Sequence, residues 1–371
     1  MELYPKRVEE VLAGVMYAGT KKNLVESEMI AETPVVTFDR ERQRWQVRVV
    51  LVFPRDTDPF LRSTVKAAEA ALRFHLGEDV DVEIETEYKS KPRPKEDDLL
   101  PRVKNIIAVS SGKGGVGKST VAANLAIALA RLGYKVGLLD TDIFGPSVPK
   151  MFGVEDARPY AVEVDGRQLI EPIEQYGVKL LSIGFFVNKD TATLWRGGMA
   201  TSALKQLLAD ANWGELDYFI LDTPPGTSDI HLTLLQTLAI TGAIIVSTPQ
   251  QVALADARKG VDMYRNDKVN VPILGLVENM AWFTPAELPE NRYYIFGREG
   301  CKHLAEEMGY PLLAQIPVVQ SICDNGDAGT PAALNIDTIT GQTFLSLAQS
   351  VVTVVNRRNQ TEAPTKRVGV E

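Results

Sequence analysis

The sequence predicts an α/β fold in which helices cover both faces of a mostly parallel sheet, with a small α/β domain in front of it. After residue 102, short apolar runs alternate with helical patterns, and such runs are typical of strands buried on both faces. A glycine-rich turn joins the first of these runs directly to a helix. Before residue 89, the clearest strand instead alternates strictly between polar and apolar residues. The two patterns predict two separate domains.

Residues 1–88 are expected to form the small domain. Apolar positions at helical spacing predict a helix over 6–18, and Asp58-Pro59 begins a second helix that stops at Gly77. Strands are predicted at 35–38, 45–53 and 80–88.

One face of the predicted strand at 80–88 carries only acidic residues. We interpret it as a solvated sheet face, with a docking surface for a basic partner as the alternative. The following segment, 89–101, is rich in charge and proline and predicts a linker.

The second domain is expected at 102–358, with a polar tail at 359–371. Its strands are predicted at 106–109, 136–139, 218–221, 243–246 and 273–277. Its helices are predicted to start near 118 and end at 133, and to lie at 199–211, 229–239, 252–266 and 343–355.

The glycine-rich turn has the spacing G-x-x-x-x-G-K-S of a phosphate-binding loop, from Gly112 to Ser119. Glycines allow successive N–H groups to point at phosphate oxygens, and the helix that follows adds its positive dipole end. We expect Lys118 to reach the β- and γ-phosphates and the Ser119 hydroxyl to ligate magnesium. A glycine-rich strand–helix turn without a ligand is the alternative. The residues predicted to bind the nucleotide here are Gly112, Lys113, Gly114, Gly115, Val116, Gly117, Lys118, Ser119 and Thr120.

Three carboxylates, Asp140, Asp142 and Asp222, end predicted strands. Because ligands of parallel sheets bind at the carboxyl ends of strands, we expect these groups near the phosphates, although acidic residues there also serve as helix caps. The run Phe219 to Asp222 resembles a Walker-B strand, so Asp222 is predicted to hold magnesium. Asp142 is predicted to orient the attacking water, and the Gly226 N–H to sense the γ-phosphate. No N-K-x-D guanine motif is present, which favours ATP. The sequence therefore predicts a slow, magnesium-dependent ATPase.

The composition restricts the partners and the compartment. The net charge of −8 disfavours nucleic acid as a partner, because a nucleic-acid binder normally has a basic face. Two cysteines, Cys301 and Cys323, imply no disulfide framework. No apolar run approaches the roughly 18–20 residues that span a bilayer, and no export signal is visible. We expect a cytoplasmic protein without membrane partners.

Lys113 distinguishes this loop from an ordinary one. The form K-G-G-V-G-K-S resembles the deviant Walker A motif of the MinD/ParA class. Five further motifs resemble the Mrp/ApbC family of iron–sulfur cluster carrier ATPases over about residues 102–356. They are L-L-D-T-D-I-F-G-P-S from 138, W-R-G-G from 195, W-G-E-L-D-Y from 213, D-T-P-P-G-T-S-D from 222 and V-E-N-M from 277. Residues 1–88 resemble the small metal–sulfur-cluster assembly domain often fused ahead of these ATPases.

The resemblance implies a specific mode of action. The chain would be an ATP-hydrolysing carrier or scaffold for iron–sulfur clusters, and its partners would be an assembly scaffold or recipient apo-proteins. It would act as a nucleotide-switched homodimer in which Lys113 reaches the partner's phosphates. Asn279 would contact adenine, and the loop after Pro317 would close over it. The alternative is a MinD/ParA-like regulatory ATPase that no longer carries a cluster.

The chain departs from the family at both usual cluster-ligand positions. The C-x-x-C pair that commonly follows E-N-M is missing, since residues 282–291 contain no cysteine. Asp58-Pro59 stands where the N-terminal domain of relatives often has a cysteine before proline. The remaining candidates are Cys301, whose pKa the start of a predicted helix would lower, and Cys323 in the loop after Pro317. For both, a small buried hydrophobic role is the alternative.

Overall fold

The computed structural model divides the chain into two compact units, Met1–Asp97 and Asp98–Glu371. The residues that the structure leaves undescribed are 1–2, 18–19, 21, 32, 40–41, 43, 54–59, 78, 89–98, 143–144, 165, 187–196, 227, 286, 289 and 369–371. The predicted helix start at Asp58-Pro59 and most of the predicted linker therefore lie outside the described residues.

The first unit combines a three-stranded sheet with two helices. Its elements are α1 (Pro5–Leu12), β1 (Met16–Tyr17), β2 (Lys22–Asn23), β3 (Val35–Asp39), β4 (Arg44–Phe53), α2 (Leu61–Leu76) and β5 (Val80–Tyr88). In the sheet, β4 lies between β3, which is antiparallel to it, and β5, which is parallel. The first helix ends at Leu12 rather than at 18, because Met16 and Tyr17 pair with β2.

The acidic face of β5 lies beside arginines of β4. Arg44 is 3.1 Å from Asp81, and Arg48 donates to both carboxylate oxygens of Glu85, at 2.9 and 2.7 Å. The hydrogen bonds from Arg48 hold the pKa of Glu85 below its ordinary value. This ladder of partly exposed ion pairs already provides cationic partners for two of the four carboxylates. It agrees with a solvated sheet face better than with a docking surface for a basic partner.

The second unit is built on one large sheet. Its elements are β6 (Val103–Ser110), α3 (Lys118–Arg131), β7 (Val136–Asp140), α4 (Val148–Met151), β8 (Ala161–Val164), β9 (Arg167–Ile170), β10 (Ile173–Gln175), β11 (Val178–Ser182), α5 (Gly197–Ala209), β12 (Leu216–Asp222), α6 (Asp229–Thr237), β13 (Gly242–Ser247), α7 (Gln251–Arg265), β14 (Ile273–Phe283), α8 (Gly300–Met308), β15 (Leu312–Val318), α9 (Gln320–Asp327) and α10 (Ile339–Thr361).

The described strands of this sheet follow the order β10-β11-β7-β12-β6-β13-β14-β15. All neighbours are parallel except β10, which pairs antiparallel with β11 at one edge. Residues of β7, β13 and the second half of β6 are buried throughout, because helices cover both faces. The predicted α/β architecture is confirmed.

The C-terminal segment differs from the prediction. Helix α10 starts at Ile339, because the Thr338 side chain caps it by accepting the Gly341 N–H at 3.1 Å, and it continues to Thr361. Beyond the helix, the chain folds back onto the same unit. The Arg358 guanidinium donates to the Ala363 carbonyl at 2.7 Å, and the Val368 N–H donates to the Leu235 carbonyl at 3.0 Å. The expected polar tail is therefore part helix and part packed segment up to residue 368.

Strand register brings the predicted site residues together. Asp222 lies opposite Asp140 on one side and opposite Val109, the next-to-last residue of β6, on the other. Since the three strands are parallel, their carboxyl ends meet at one edge of the sheet, where the glycine-rich loop begins.

Candidate nucleotide-binding site

The glycine-rich loop runs from β6 into α3 and is held between α7 and β14. A Cβ on Gly112 would lie 2.2 Å from the backbone carbonyl of Asp256 in α7. Gly117 has a φ of +82°, and a Cβ there would lie 2.1 Å from the side-chain nitrogen of Asn279. Both positions therefore need glycine, for space at Gly112 and for space and backbone conformation at Gly117. The loop is thus shaped by tertiary contacts as well as by its own glycines.

Lys118 and Asp222 form a buried ion pair at the base of this loop. The Lys118 Nζ lies 2.6 Å from Asp222 Oδ1, and the two side chains are 6% and 0% exposed. The same Nζ is 3.1 Å from the Ser119 hydroxyl. Burial raises the pKa of Asp222, while the charge and hydrogen bond of Lys118 act against that shift. The lysine predicted to bind phosphate is therefore partnered with the carboxylate predicted to hold magnesium.

The residues at this point fit a magnesium ion. Asp222 Oδ2 is buried and has no hydrogen-bond partner among the described residues. Magnesium prefers oxygen ligands, commonly one or two from the protein with water and phosphate completing the octahedron. An unpartnered carboxylate oxygen and the Ser119 hydroxyl, both beside Lys118, provide such oxygens. When bound, the ion would neutralise charge on the phosphates.

The phosphate end of the site is a cavity of about 210 Å³. Lys113, Lys118, Ser119 and Asp142 all line it, together with glycines of the loop. The structure therefore places the three predicted catalytic residues around one space.

Asp140 lies behind this cavity and was predicted only as a strand end. Its carboxylate is fully buried and accepts hydrogen bonds from the Ser182 hydroxyl at 3.0 Å and from the Asp142 N–H at 3.1 Å. Burial, and then the nearby charge of Asp222, raise its pKa to about 7. Asp140 therefore supports the backbone of Asp142.

Gly226 has a different partner from the predicted one. Its N–H donates to the Ser111 carbonyl at 2.9 Å, so it is not free to contact a γ-phosphate in this conformation. A contact with the γ-phosphate would require this hydrogen bond to break. The γ-phosphate contact of Gly226 therefore stays a prediction, and it applies to a loop that has rearranged.

A second, larger cavity of about 380 Å³ adjoins the phosphate cavity, and both are lined by Gly117, Thr120 and Met151. Asn279 and the segment after Pro317 line it as well, which is where the family resemblance places the base. The Asn279 side-chain amide donates to the Val116 carbonyl at 2.8 Å, which fixes its orientation. The remaining lining of this larger cavity is mostly apolar, as is usual for a site that binds the base of a nucleotide. The other lining residues are Asn124, Ser147, Lys150, Met280, Val318, Val319, Ile322, Cys323, Gly326, Asp327 and Pro331.

The structure overturns the expectation for Cys301. The residue is the second of α8, but its side chain is fully buried and its Sγ donates to the Thr248 carbonyl at 3.6 Å. Burial, and then the charge of Glu278, raise the pKa of its thiol to about 12. Desolvation therefore outweighs the helix dipole, and Cys301 stays protonated and inaccessible to metal. Cys323 is exposed and lies on α9, a helix where a loop was predicted.

No group of three or more metal-ligating side chains occurs in the part of the chain that the structure describes. Both cysteines are described, and they differ in accessibility. Within one chain, the described residues do not form the thiolate set that holds an iron–sulfur cluster.

Two buried groups near the site were missed by the sequence analysis. Glu278 accepts hydrogen bonds from the Cys301 N–H and from Gln315, both at 2.7 Å, and so anchors the segment that carries Asn279. His231 lies 3.3 Å from Ser110, directly before the loop. The spacing Ser228-x-x-His231 is that of a capping box with serine at the N-cap and histidine at position N3. This spacing could have drawn attention to His231.

No helix in the described ranges has the length and apolar character needed to cross a membrane.

Comparison with known proteins agrees with this geometry. A family model described as the ParA, NUBPL iron-transfer P-loop NTPase matches residues 102–352. An iron–sulfur cluster carrier protein of Aquifex aeolicus is 48% identical over 262 residues, which is 70% of each chain. One from a Synechocystis species is 40% identical over 326 residues, covering 88% of this chain and 90% of that protein.

Among solved structures, a nucleotide-binding protein in complex with ADP from Archaeoglobus fulgidus is 36% identical. It superposes with a TM-score of 0.55 over 64% of this chain and 92% of that one. These relatives confirm the resemblance drawn from the motifs and the P-loop fold. The chain belongs to the ParA/NUBPL iron-transfer family of P-loop NTPases, which includes the Mrp/ApbC-type carriers.

Proposed function

We propose that the chain is a magnesium-dependent ATPase that carries iron–sulfur clusters and works as a nucleotide-switched homodimer in the cytoplasm. The observation that carries the ATPase proposal is the buried Lys118–Asp222 pair at the base of the phosphate-binding loop, with one unpartnered carboxylate oxygen. The iron–sulfur part is supported by the names of the relatives that match most of the chain. Recipient apo-proteins or an assembly scaffold would be its partners.

The ion pair suggests how the nucleotide enters. Phosphate oxygens would take the place of Asp222 as partners of Lys118, because a phosphate and a carboxylate both offer anionic oxygens that accept charge-assisted hydrogen bonds from an ammonium group. Asp222 would then be released to hold magnesium together with Ser119. Asp142, which lines the same cavity, would orient the water that attacks the γ-phosphate. The Lys118–Asp222 pair thus keeps both charges compensated until ATP arrives.

Lys113 is proposed to act across the dimer. It is partly exposed at the mouth of the phosphate cavity, whereas Lys118 is buried. In Lys113→Ala we expect ATP to bind within about threefold of wild type, while turnover falls by about 10³, the lower end for a charge supplied in trans to the transferred phosphoryl group. Isothermal titration and a phosphate-release assay, each at several protein concentrations, measure the two effects. Lys205→Ala, at an exposed position of α5, is the matched control. Normal hydrolysis by Lys113→Ala at every concentration would show that the lysine does not act in trans.

Of the two cysteines, only Cys323 is exposed, so its thiol is the proposed ligand for the iron–sulfur cargo. Because Cys301 is buried and protonated, we expect Cys301→Ala to take up as much iron and sulfide as wild type in anaerobic reconstitution. In Cys323→Ala we expect uptake to be lost, since thiolates are the usual cluster ligands. Visible absorbance and the iron content of the desalted protein are the measurements.

The same experiment separates the two functions. Equal uptake by both variants and wild type would mean that neither cysteine ligates the cargo. If none of the three proteins retains iron but all hydrolyse ATP, the MinD/ParA-like regulatory ATPase replaces the carrier. The missing C-x-x-C pair is the specific observation that favours this second function.

A further inference from the structure

The loop between β12 and α6 is attached to three consecutive residues, Val109, Ser110 and Ser111, where β6 passes into the phosphate-binding loop. Thr223 donates to the Val109 carbonyl from its N–H at 3.1 Å and from its hydroxyl at 3.0 Å. The Gly226 N–H donates to the Ser111 carbonyl at 2.9 Å. The remaining attachment, to Ser110, is made through a side chain of α6.

That side chain is His231, which is 2% exposed. Its Nδ1 lies 3.3 Å from the Ser228 N–H, and its Nε2 lies 3.3 Å from the Ser110 hydroxyl. Because an N–H can only donate, Nδ1 is the acceptor, and the imidazole proton belongs on Nε2, facing Ser110. Burial, and then the charge of Lys118, lower the pKa of His231 to about 4, so the ring is neutral.

The two hydrogen bonds of His231 form a series that runs in one direction, from Ser228 through the imidazole to Ser110. It connects the far end of the β12–α6 loop to the base of the phosphate-binding loop, and each member is buried or half-buried, so water does not compete for its bonds.

We infer that His231 is a positioning residue that holds the β12–α6 loop at the phosphate-binding loop and so sets the preference for a nucleotide with a γ-phosphate. The inference rests on the proposed ATPase function. Gly226 can reach a γ-phosphate only after leaving the Ser111 carbonyl. If Thr223 and His231 still hold the loop, Gly226 can leave Ser111 by a local movement. If the His231 contact is lost, the nucleotide must also order the rest of the loop, and this ordering reduces the free energy of binding.

The test compares nucleotide preference in His231→Leu, His231→Gln and Ser110→Ala. In His231→Leu we expect the affinity for a non-hydrolysable ATP analogue to fall about tenfold, as for the loss of one or two buried hydrogen bonds, and that for ADP to change less than about threefold. Turnover should fall with the analogue affinity. His231→Gln can both accept and donate, and should recover most of the preference. His303→Leu, at an exposed histidine of α8, is the matched control.

A double-mutant cycle isolates the contact itself. If His231 acts through Ser110, the loss in Ser110→Ala combined with His231→Leu should be smaller than the product of the two separate losses. Ser110→Ala and His231→Gln preserve most of the packing, so they carry the test if His231→Leu does not fold. Equal loss of ADP and analogue affinity, or an unchanged ratio in all three variants, would overturn the inference. Absent ATP turnover in the wild-type protein would instead overturn the proposed function.

Discussion

Replacing Lys118 by alanine should abolish ATP turnover and weaken ATP binding by at least about 100-fold, the effect of removing a charge-assisted contact to phosphate in a site shielded from water. Among the described residues lining the phosphate cavity, Lys113 is the only other lysine, and it is partly exposed at the mouth. Binding is measured by titration with magnesium and ATP, and turnover by phosphate release. Near-normal hydrolysis in this variant would refute the assignment of the loop.

The same substitution should also affect stability, which gives a sharper control. Removing Lys118 leaves Asp222 buried without its cation, and breaking such a pair costs about 3–5 kcal/mol when the other charge stays ionised. The raised pKa of Asp222 allows it to bind a proton, which reduces this cost. We therefore expect Lys118→Ala combined with Asp222→Asn to regain stability in urea denaturation but not ATP binding. Recovery of both would show that the single variant failed through misfolding.

Replacing Asp142 by alanine should leave ATP bound but hydrolysed about 10²–10⁴ times more slowly, the usual contribution of a residue that orients and activates an attacking group. Asp142 lines the phosphate cavity, and its own backbone is fixed by the Asp140 carboxylate at 3.1 Å. Single-turnover experiments with labelled ATP would show the nucleotide retained in the protein. Loss of binding rather than of turnover would make Asp142 a magnesium ligand or a structural residue.

Two further variants define what the Asp142 result means. Asp337→Ala removes an exposed carboxylate before α10 and should leave binding and turnover unchanged. Asp142→Asn preserves the shape of the side chain but not its charge. If it is as slow as Asp142→Ala, the carboxylate itself is required, whereas full activity would show that a neutral hydrogen-bonding group is sufficient.

Several features were predictable from the sequence because the information is local. The loop from Gly112 to Ser119 is specified by glycine spacing and by the strand and helix on either side, and the structure places it there. The buried strands could be predicted because a strand covered on both faces is apolar at nearly every position. Asp222 lies at the end of such a strand and Asp142 two residues beyond the end of another, so their common edge was predictable from the rule that parallel strands end together.

Other elements gave weaker local signals. Strand β15 and helix α9 were not predicted, although β15 lies beside β14 and α9 lines the base cavity. Strand β15 has only three buried residues in a seven-residue run, and α9 has none, so neither shows a strong apolar pattern. Their structure depends on neighbours that are distant in sequence. The boundary of α10 was missed because its cap at Thr338 precedes the apolar stripe.

The sequence by itself thus determined the phosphate-binding loop, the alternation of strands and helices around it and the carboxylate proposed for magnesium, because each depends on residues that are adjacent along the chain. Only the tertiary structure decided that Cys301 is buried, that the Gly226 N–H donates to Ser111 and that His231 contacts Ser110. Each depends on contacts between elements far apart in sequence: Cys301 with Thr248 and Glu278, Gly226 with Ser111, and His231 with Ser110. Burial by those distant elements sets the pKa of a thiol or an imidazole, and spacing along the chain does not record it.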